Sequence, residues 1–171
     1  MKRLILMRHA KTEPWAEGVD DHARALTPSG HKAALRMALE IKEMGWAPDL
    51  AIVSTARRTR ETSSHMKSVI EACDLKFEEG LYLAGERGIS DLISEHESAG
   101  TLLIIGHNPG MHDLALSLMR ASGSADHRAA IKLASKLPTG ACALYEAKED
   151  GTFLPVHFVL QTFLRPKDIL S

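Results

Sequence analysis

The chain has 171 residues, 44% of them hydrophobic and 25% charged, with a formal net charge of −1. That length can bury a core without disulfide or metal staples, and it predicts one domain over residues 1–171. The near-zero charge excludes a broadly basic surface for nucleic acid or an anionic membrane, so any anion site is local.

Leu4 to Met7 is a continuous apolar run that ends in Arg8 and His9. Such runs become strands covered on both faces, and open parallel sheets present ligands at the carboxyl ends of their strands. The run is too short for a signal-peptide core, and no stretch approaches a membrane span. Cys73 and Cys142 have neither CxxC nor zinc-ligand spacing and are expected to be buried thiols. Together these features predict a cytoplasmic, reducing location.

Thr12 to Asp21, broken by Pro14 and Gly18, reads as a loop over the end of the first strand. Thr27 and Pro28 then open a helix in which Ala34, Met37, Ala38, Ile41 and Met44 recur at helical spacing, and Gly45 stops it. Leu50 to Val53 is a second buried strand, followed by Ser54 and Thr55. The next predicted helix, Arg57 to Glu71, begins with Arg57, Arg58 and Arg60. Cations there oppose the helix dipole unless an anion lies near, and Arg57 and Arg60 are read as reaching solvent.

Lys76 to Glu78 is expected as a short edge strand leading into Leu81, Tyr82 and Leu83, with a turn at Gly85 and a helix from Glu86 to Glu97. Thr101 to Ile105 is the strongest strand signal; it ends in Gly106 and His107, and a helix follows from Met111 to Met119. Residues 121–135 show no clear period and are expected as a loop with some helix. Ala141 to Ala147 and Pro155 to Phe163, around Glu149, Asp150 and Gly151, predict a hairpin at a sheet edge.

Three strand ends therefore carry chemistry: Arg8 with His9, Ser54 with the arginine-rich turn, and His107. Alternating strands and helices predict an α/β fold, with a mostly parallel central sheet and helices on both faces, that brings them to one edge. Arginine offers a planar, permanently charged fork to phosphate oxygens, and a neutral imidazole can attack phosphorus. Taken alone, Arg8 and His9 are better read as a strand end followed by two solvated side chains, because Arg-His pairs are common.

The segments Leu6-Met7-Arg8-His9-Ala10-Lys11, Ser54 to Thr62 and Ile105-Gly106-His107-Asn108-Pro109 together resemble the histidine phosphatase superfamily, with its phosphoglycerate mutase-like fold. The short length, Asp21-x-x-Arg24-x-Leu26-Thr27-x-x-Gly30 and Leu137-Pro138-Thr139-Gly140 resemble its small SixA-type phosphohistidine phosphatases. The resemblance implies that His9 accepts the phosphoryl group while Arg8, Arg58 and His107 bind its oxygens. It also implies hydrolysis through phospho-His9 with no metal or other cofactor.

Larger members of the superfamily carry an acid between the second and third motifs. Here Glu86, after Gly85, is the best-placed candidate, with Glu78 and Glu79 read as surface. No insertion is long enough for a large cap domain, which suits a phosphohistidine on a phosphotransfer protein. The same catalysis on small phosphomonoesters or other phosphoproteins is a second reading, and a non-catalytic phosphate- or phosphoprotein-binding module is a third. His22, His31, His65, His96, His112, His127 and His157 lack metal-ligand spacing and are read as surface or packing residues. Trp46 is assigned to packing, and Trp15 to either loop or pocket.

Overall fold

In the computed structural model, which describes residues 1–170, four apolar runs become the strands around which everything else packs. β1 (Arg3–Arg8), β2 (Leu50–Ser54), β3 (Asp74–Glu78), β4 (Thr101–Gly106), β5 (Cys142–Ala147) and β6 (Phe158–Leu164) form one sheet in the order β3-β2-β4-β1-β5-β6. β3, β2, β4 and β1 run parallel, whereas β1 pairs antiparallel with β5 and β5 with β6. The expected C-terminal pair thus lies at the sheet edge. Pro155 to His157, however, form a 3-10 turn before β6 and not its first residues. This fits Pro155, whose ring removes a ladder donor.

The continuous apolar runs are explained by burial on both faces. Along β1 and β4, Leu4, Leu6, Leu102 and Ile104 enter one core cluster, while Ile5, Met7, Leu103 and Ile105 enter the other. All eight are fully buried, each contributing about 1.5–3 kcal/mol relative to exposure. α1 (Pro28–Glu43) and α2 (Arg57–Val69) cover the second cluster through Met37, Ile41 and Met66. α3 (Glu86–Glu95), α4 (Gly110–Ser122) and α5 (His127–Ser135) cover the first through Ile89, Leu114 and Leu133. A short α6 (Pro166–Ile169) follows β6.

Two segments depart from expectation. Residues 127–135 form a true helix, capped by the Asp126 side chain accepting from the Ala129 amide at 2.9 Å, with Ala129 and Leu133 buried. Its short length and two-residue apolar stripe left no period to read. Glu79 to Leu81 form a 3-10 helix between β3 and Tyr82, a turn with no signal in the sequence. Trp46 is buried under the Arg3 guanidinium, which sits 4.4 Å from its ring centre, whereas Trp15 is exposed. No helix among the described residues is long and apolar enough to cross a membrane.

Candidate active site

Because β1, β2 and β4 are parallel and adjacent, their carboxyl ends open at one edge: Arg8 is level with Gly106, and Val53 with Ile105. His9, Ser54 and His107 follow from that register. The loops after the strands are fixed by backbone contacts. The Gly140 amide donates to the Arg8 and His9 carbonyls at 3.1 and 2.8 Å, so the Leu137-Pro138-Thr139-Gly140 turn clasps the end of β1. The Thr62 hydroxyl accepts from the Ala10 amide at 3.1 Å and donates to the Arg58 carbonyl at 2.7 Å, tying the end of β1 to α2. Gly30 is required where the chain returns, since a Cβ there would lie 2.1 Å from the Lys11 carbonyl oxygen.

His9 and His107 are both buried, their ring centres 5.4 Å apart. His9 Nδ1 lies 2.8 Å from the Ala10 carbonyl oxygen. A carbonyl can only accept, so Nδ1 carries the proton and Nε2 keeps the lone pair. Burial is the main force pushing His9 down to about 3, and His107, Arg58 and Arg8 add to it against the Ala10 hydrogen bond. His107 is pushed down to about 4, again chiefly by burial and then by Arg58. Both rings are therefore neutral near pH 7. His107 Nε2 is 2.7 Å from Ser54 Oγ, and its Nδ1 is buried without a partner.

Two guanidinium groups share the pocket. Arg8 donates through Nη1 to the Leu137 carbonyl at 3.2 Å, and burial followed by Arg58 lowers its pKa. Arg58, 3% exposed, donates through Nη1 to the Asp21 carbonyl at 2.8 Å and through Nη2 to Asp21 Oδ2 at 3.1 Å. The Nε atoms of both arginines are buried and unpartnered. With His107 Nδ1, three unsatisfied nitrogens thus belong to one cationic pocket, a costly arrangement that an oxyanion would relieve.

The sequence-predicted residues Arg8, His9, Arg58 and His107 are brought together. Glu86 stands apart: it is exposed in the first turn of α3, with no hydrogen bond or ion pair to this group among the described residues. Arg57 and Arg60 are exposed, as read from the sequence.

Asp21 and Tyr82 were not read as site residues. Arg24 holds Asp21 Oδ1 at 2.8 and 3.0 Å, leaving Oδ2 for Arg58 and for the Tyr82 hydroxyl, which donates to it. The Tyr82 hydrogen bond, with Arg24 and Arg58 behind it, holds the Asp21 carboxyl far below its usual range. The same bond raises the Tyr82 hydroxyl. The Tyr82 ring meets His107 edge-on at 5.4 Å and His22 at 4.9 Å. The spacing of Asp21 and Arg24 was the available signal, but its meaning depends on Arg58, 37 positions away.

A buried neutral imidazole beside paired arginines is an arrangement that can hold an oxyanion. Residues 4–82 match the model of the histidine phosphatase superfamily (branch 1). An uncharacterized protein of Mycobacterium tuberculosis is 33% identical over 139 residues, covering 81% of this chain and 85% of the relative. An uncharacterized chloroplastic protein of Arabidopsis thaliana is 32% identical over 133 residues; the match covers 71% of this chain but spans only 61% of the plant protein. The crystal structure from Agrobacterium tumefaciens assigned as phosphohistidine phosphatase SixA superposes with a TM-score of 0.81 at 27% identity, covering 96% of this chain and 98% of that one. The chain belongs to the histidine phosphatase superfamily and is SixA-like, with a phosphoglycerate mutase-like fold and no large cap.

Proposed function

We propose that this phosphatase hydrolyses phosphohistidine on a phosphotransfer protein through a phospho-His9 intermediate, without a metal or other cofactor. The observation that carries the proposal is the orientation of His9: Nδ1 is committed to the Ala10 carbonyl, so Nε2 is the nucleophilic nitrogen, beside two arginines whose Nε atoms lack partners. Nε2 attacks phosphorus, the N–P bond of the donor breaks, and the donor imidazole leaves with its ring protonated. Water then attacks the new phosphohistidine; its oxygen bonds to phosphorus, one of its protons passes to a phosphate oxygen, the His9 N–P bond breaks and the electron pair returns to Nε2. Arg8, Arg58 and His107 offset the phosphoryl charge in both steps. In the tautomer whose Nε2 accepts the Ser54 hydroxyl proton, His107 presents an Nδ1–H donor to a phosphoryl oxygen.

Asp21 is a positioning residue, fixing Arg58 from its outer side. A protonated imidazole is a far better leaving group than an alkoxide, so an acid at Glu86 matters only for ester substrates. The lack of a large cap and the likeness to the Agrobacterium tumefaciens structure favour a protein-borne phosphohistidine. A reducing, cytoplasmic setting is supported by the free, buried Cys73 and Cys142.

The test compares a phosphohistidine protein, an aryl phosphate and an alkyl phosphate under chelation, in wild type and Glu86→Gln. The proposal expects fastest turnover of phosphohistidine, changed less than about twofold by Glu86→Gln. Preference for the alkyl ester, lost in Glu86→Gln, supports the second reading, hydrolysis of phosphomonoesters.

A further inference from the structure

A groove of about 770 Å³ runs along α2 beside the catalytic pocket, not over it. It begins at His22 and Thr55, whose side chains hydrogen-bond at 2.9 Å, and the His22 ring touches Tyr82, which in turn touches His107. Further along, Arg57, Arg60 and Lys67 line the wall, against Glu61 as the one carboxylate. Glu61 accepts from the Leu26 amide at 2.8 Å and pairs with Arg57 Nε at 2.7 Å, and Lys67 Nζ donates to the Glu71 and Cys73 carbonyls at 2.6 and 2.9 Å, so Arg60 is the most available cation of the wall. Arg60 has no carboxylate partner among the described residues; its guanidinium lies 5.5 Å from the centre of the exposed Phe77 ring. The result is a cationic wall over an apolar floor, in a chain whose net charge is −1.

From this we infer that the groove docks an acidic polypeptide segment flanking the phosphorylated histidine of the substrate protein. This inference rests on the phosphohistidine reading above and names the chemistry that would select among its substrates. A carboxylate of the segment pairs with Arg60, a second meets the outer edge of Arg57 beyond its bond to Glu61, the charge of Lys67 lies further along, and the segment's apolar atoms cover Phe77. The groove starts two ring contacts from His107, so the pairing residues lie a few positions from the phosphohistidine, where an extended chain advances about 3.3 Å per residue. The arrangement also accounts for the basic first turn of α2. Arg58 turns inward to the phosphoryl pocket, whereas Arg57 and Arg60 face the docked chain, and both anions lie near the positive end of the helix.

The experiment uses the whole protein with phosphohistidine peptides of equal length carrying either four Glu or four Ser, three to six positions before or after the phosphohistidine. Wild type is expected to favour one Glu-flanked peptide about tenfold in kcat/KM, through KM, the size expected of two or three exposed ion pairs. The preference should fade as salt is raised. Arg60→Glu and the double variant Arg57→Gln/Arg60→Gln should bring the ratio to about one while leaving aryl phosphate hydrolysis unchanged. Equal turnover of Glu and Ser peptides by wild type, or an unaltered preference in both variants, overturns the docking inference alone. If no phosphohistidine peptide is turned over while aryl phosphate is, the substrate reading fails and takes this inference with it. A loss of aryl phosphate hydrolysis in Arg60→Glu would also contradict a role confined to docking.

Discussion

Arg58 shows how single side chains are set before any substrate arrives. Each Nη atom gives one N–H to Asp21, to its carbonyl and its carboxylate, which fixes the guanidinium plane, while the buried Nε has no partner. Asp21→Ala removes the carboxylate half of that clamp and frees Tyr82. We expect kcat/KM to fall about 10- to 100-fold, the loss of one charged hydrogen-bonded partner, with inhibition by inorganic phosphate weakened in parallel. Asp21→Asn, which keeps an acceptor oxygen, should recover part of the loss. An unchanged phosphate affinity in Asp21→Ala would show that Arg58 needs no such support. Sequence made Arg8, His9, Arg58 and His107 legible because each follows a strand in a short, ordered motif. Asp21 and Tyr82 were not legible as site residues, because their partners come from distant turns and the 3-10 turn before Tyr82 carries no periodic signal.

At the scale of elements, two close backbone approaches hold the site's edge together. Gly30, in the first turn of α1, lies against the Lys11 carbonyl, and Gly110, which opens α4, lies where a Cβ would be 2.0 Å from the Ala84 carbonyl oxygen. Neither position has a flexible side chain that could give way. Gly30→Ala must push α1 from the loop after β1, at about 1–3 kcal/mol. For a chain of this size that lowers the melting temperature by roughly 2–10 °C, readable by calorimetry. A melting temperature equal to wild type would mean that the loop yields freely. The buried strands were readable as elements because covering both faces demands unbroken apolar runs. α5 was not, since nine residues with two buried positions resemble a polar loop. The Thr27 cap of α1 was readable, and its hydroxyl accepts from the Gly30 amide at 2.9 Å.

For the molecule as a whole, keeping two histidines neutral in a cationic pocket has a consequence for stability. The folded-state values of about 3 for His9 and about 4 for His107 lie below the ordinary 6.5. Between those limits the unfolded chain binds protons that the fold refuses, so stability falls as pH drops below 6.5 and is unaffected by these groups above it. Each contributes a slope of up to roughly 1.4 kcal/mol per pH unit, ending near pH 4 for His107 and pH 3 for His9. The lowered carboxyls of Asp21 and Glu61 act in the same direction at still lower pH. Urea unfolding from pH 7.5 to 5 should therefore show a declining free energy, with a shallower decline in His9→Asn. Identical slopes in the two proteins would place the acid sensitivity elsewhere.

The central claim is that His9 Nε2 carries the phosphoryl group in turnover. The direct measurement is rapid alkaline quench of the enzyme with a radiolabelled phosphohistidine protein, followed by peptide mapping. Transfer through His9 predicts an acid-labile, alkali-stable phosphoryl group on the peptide containing His9, formed and lost at rates compatible with turnover and absent in His9→Ala, which still binds inorganic phosphate. Full turnover by His9→Ala, or label mapping to another residue, would contradict it.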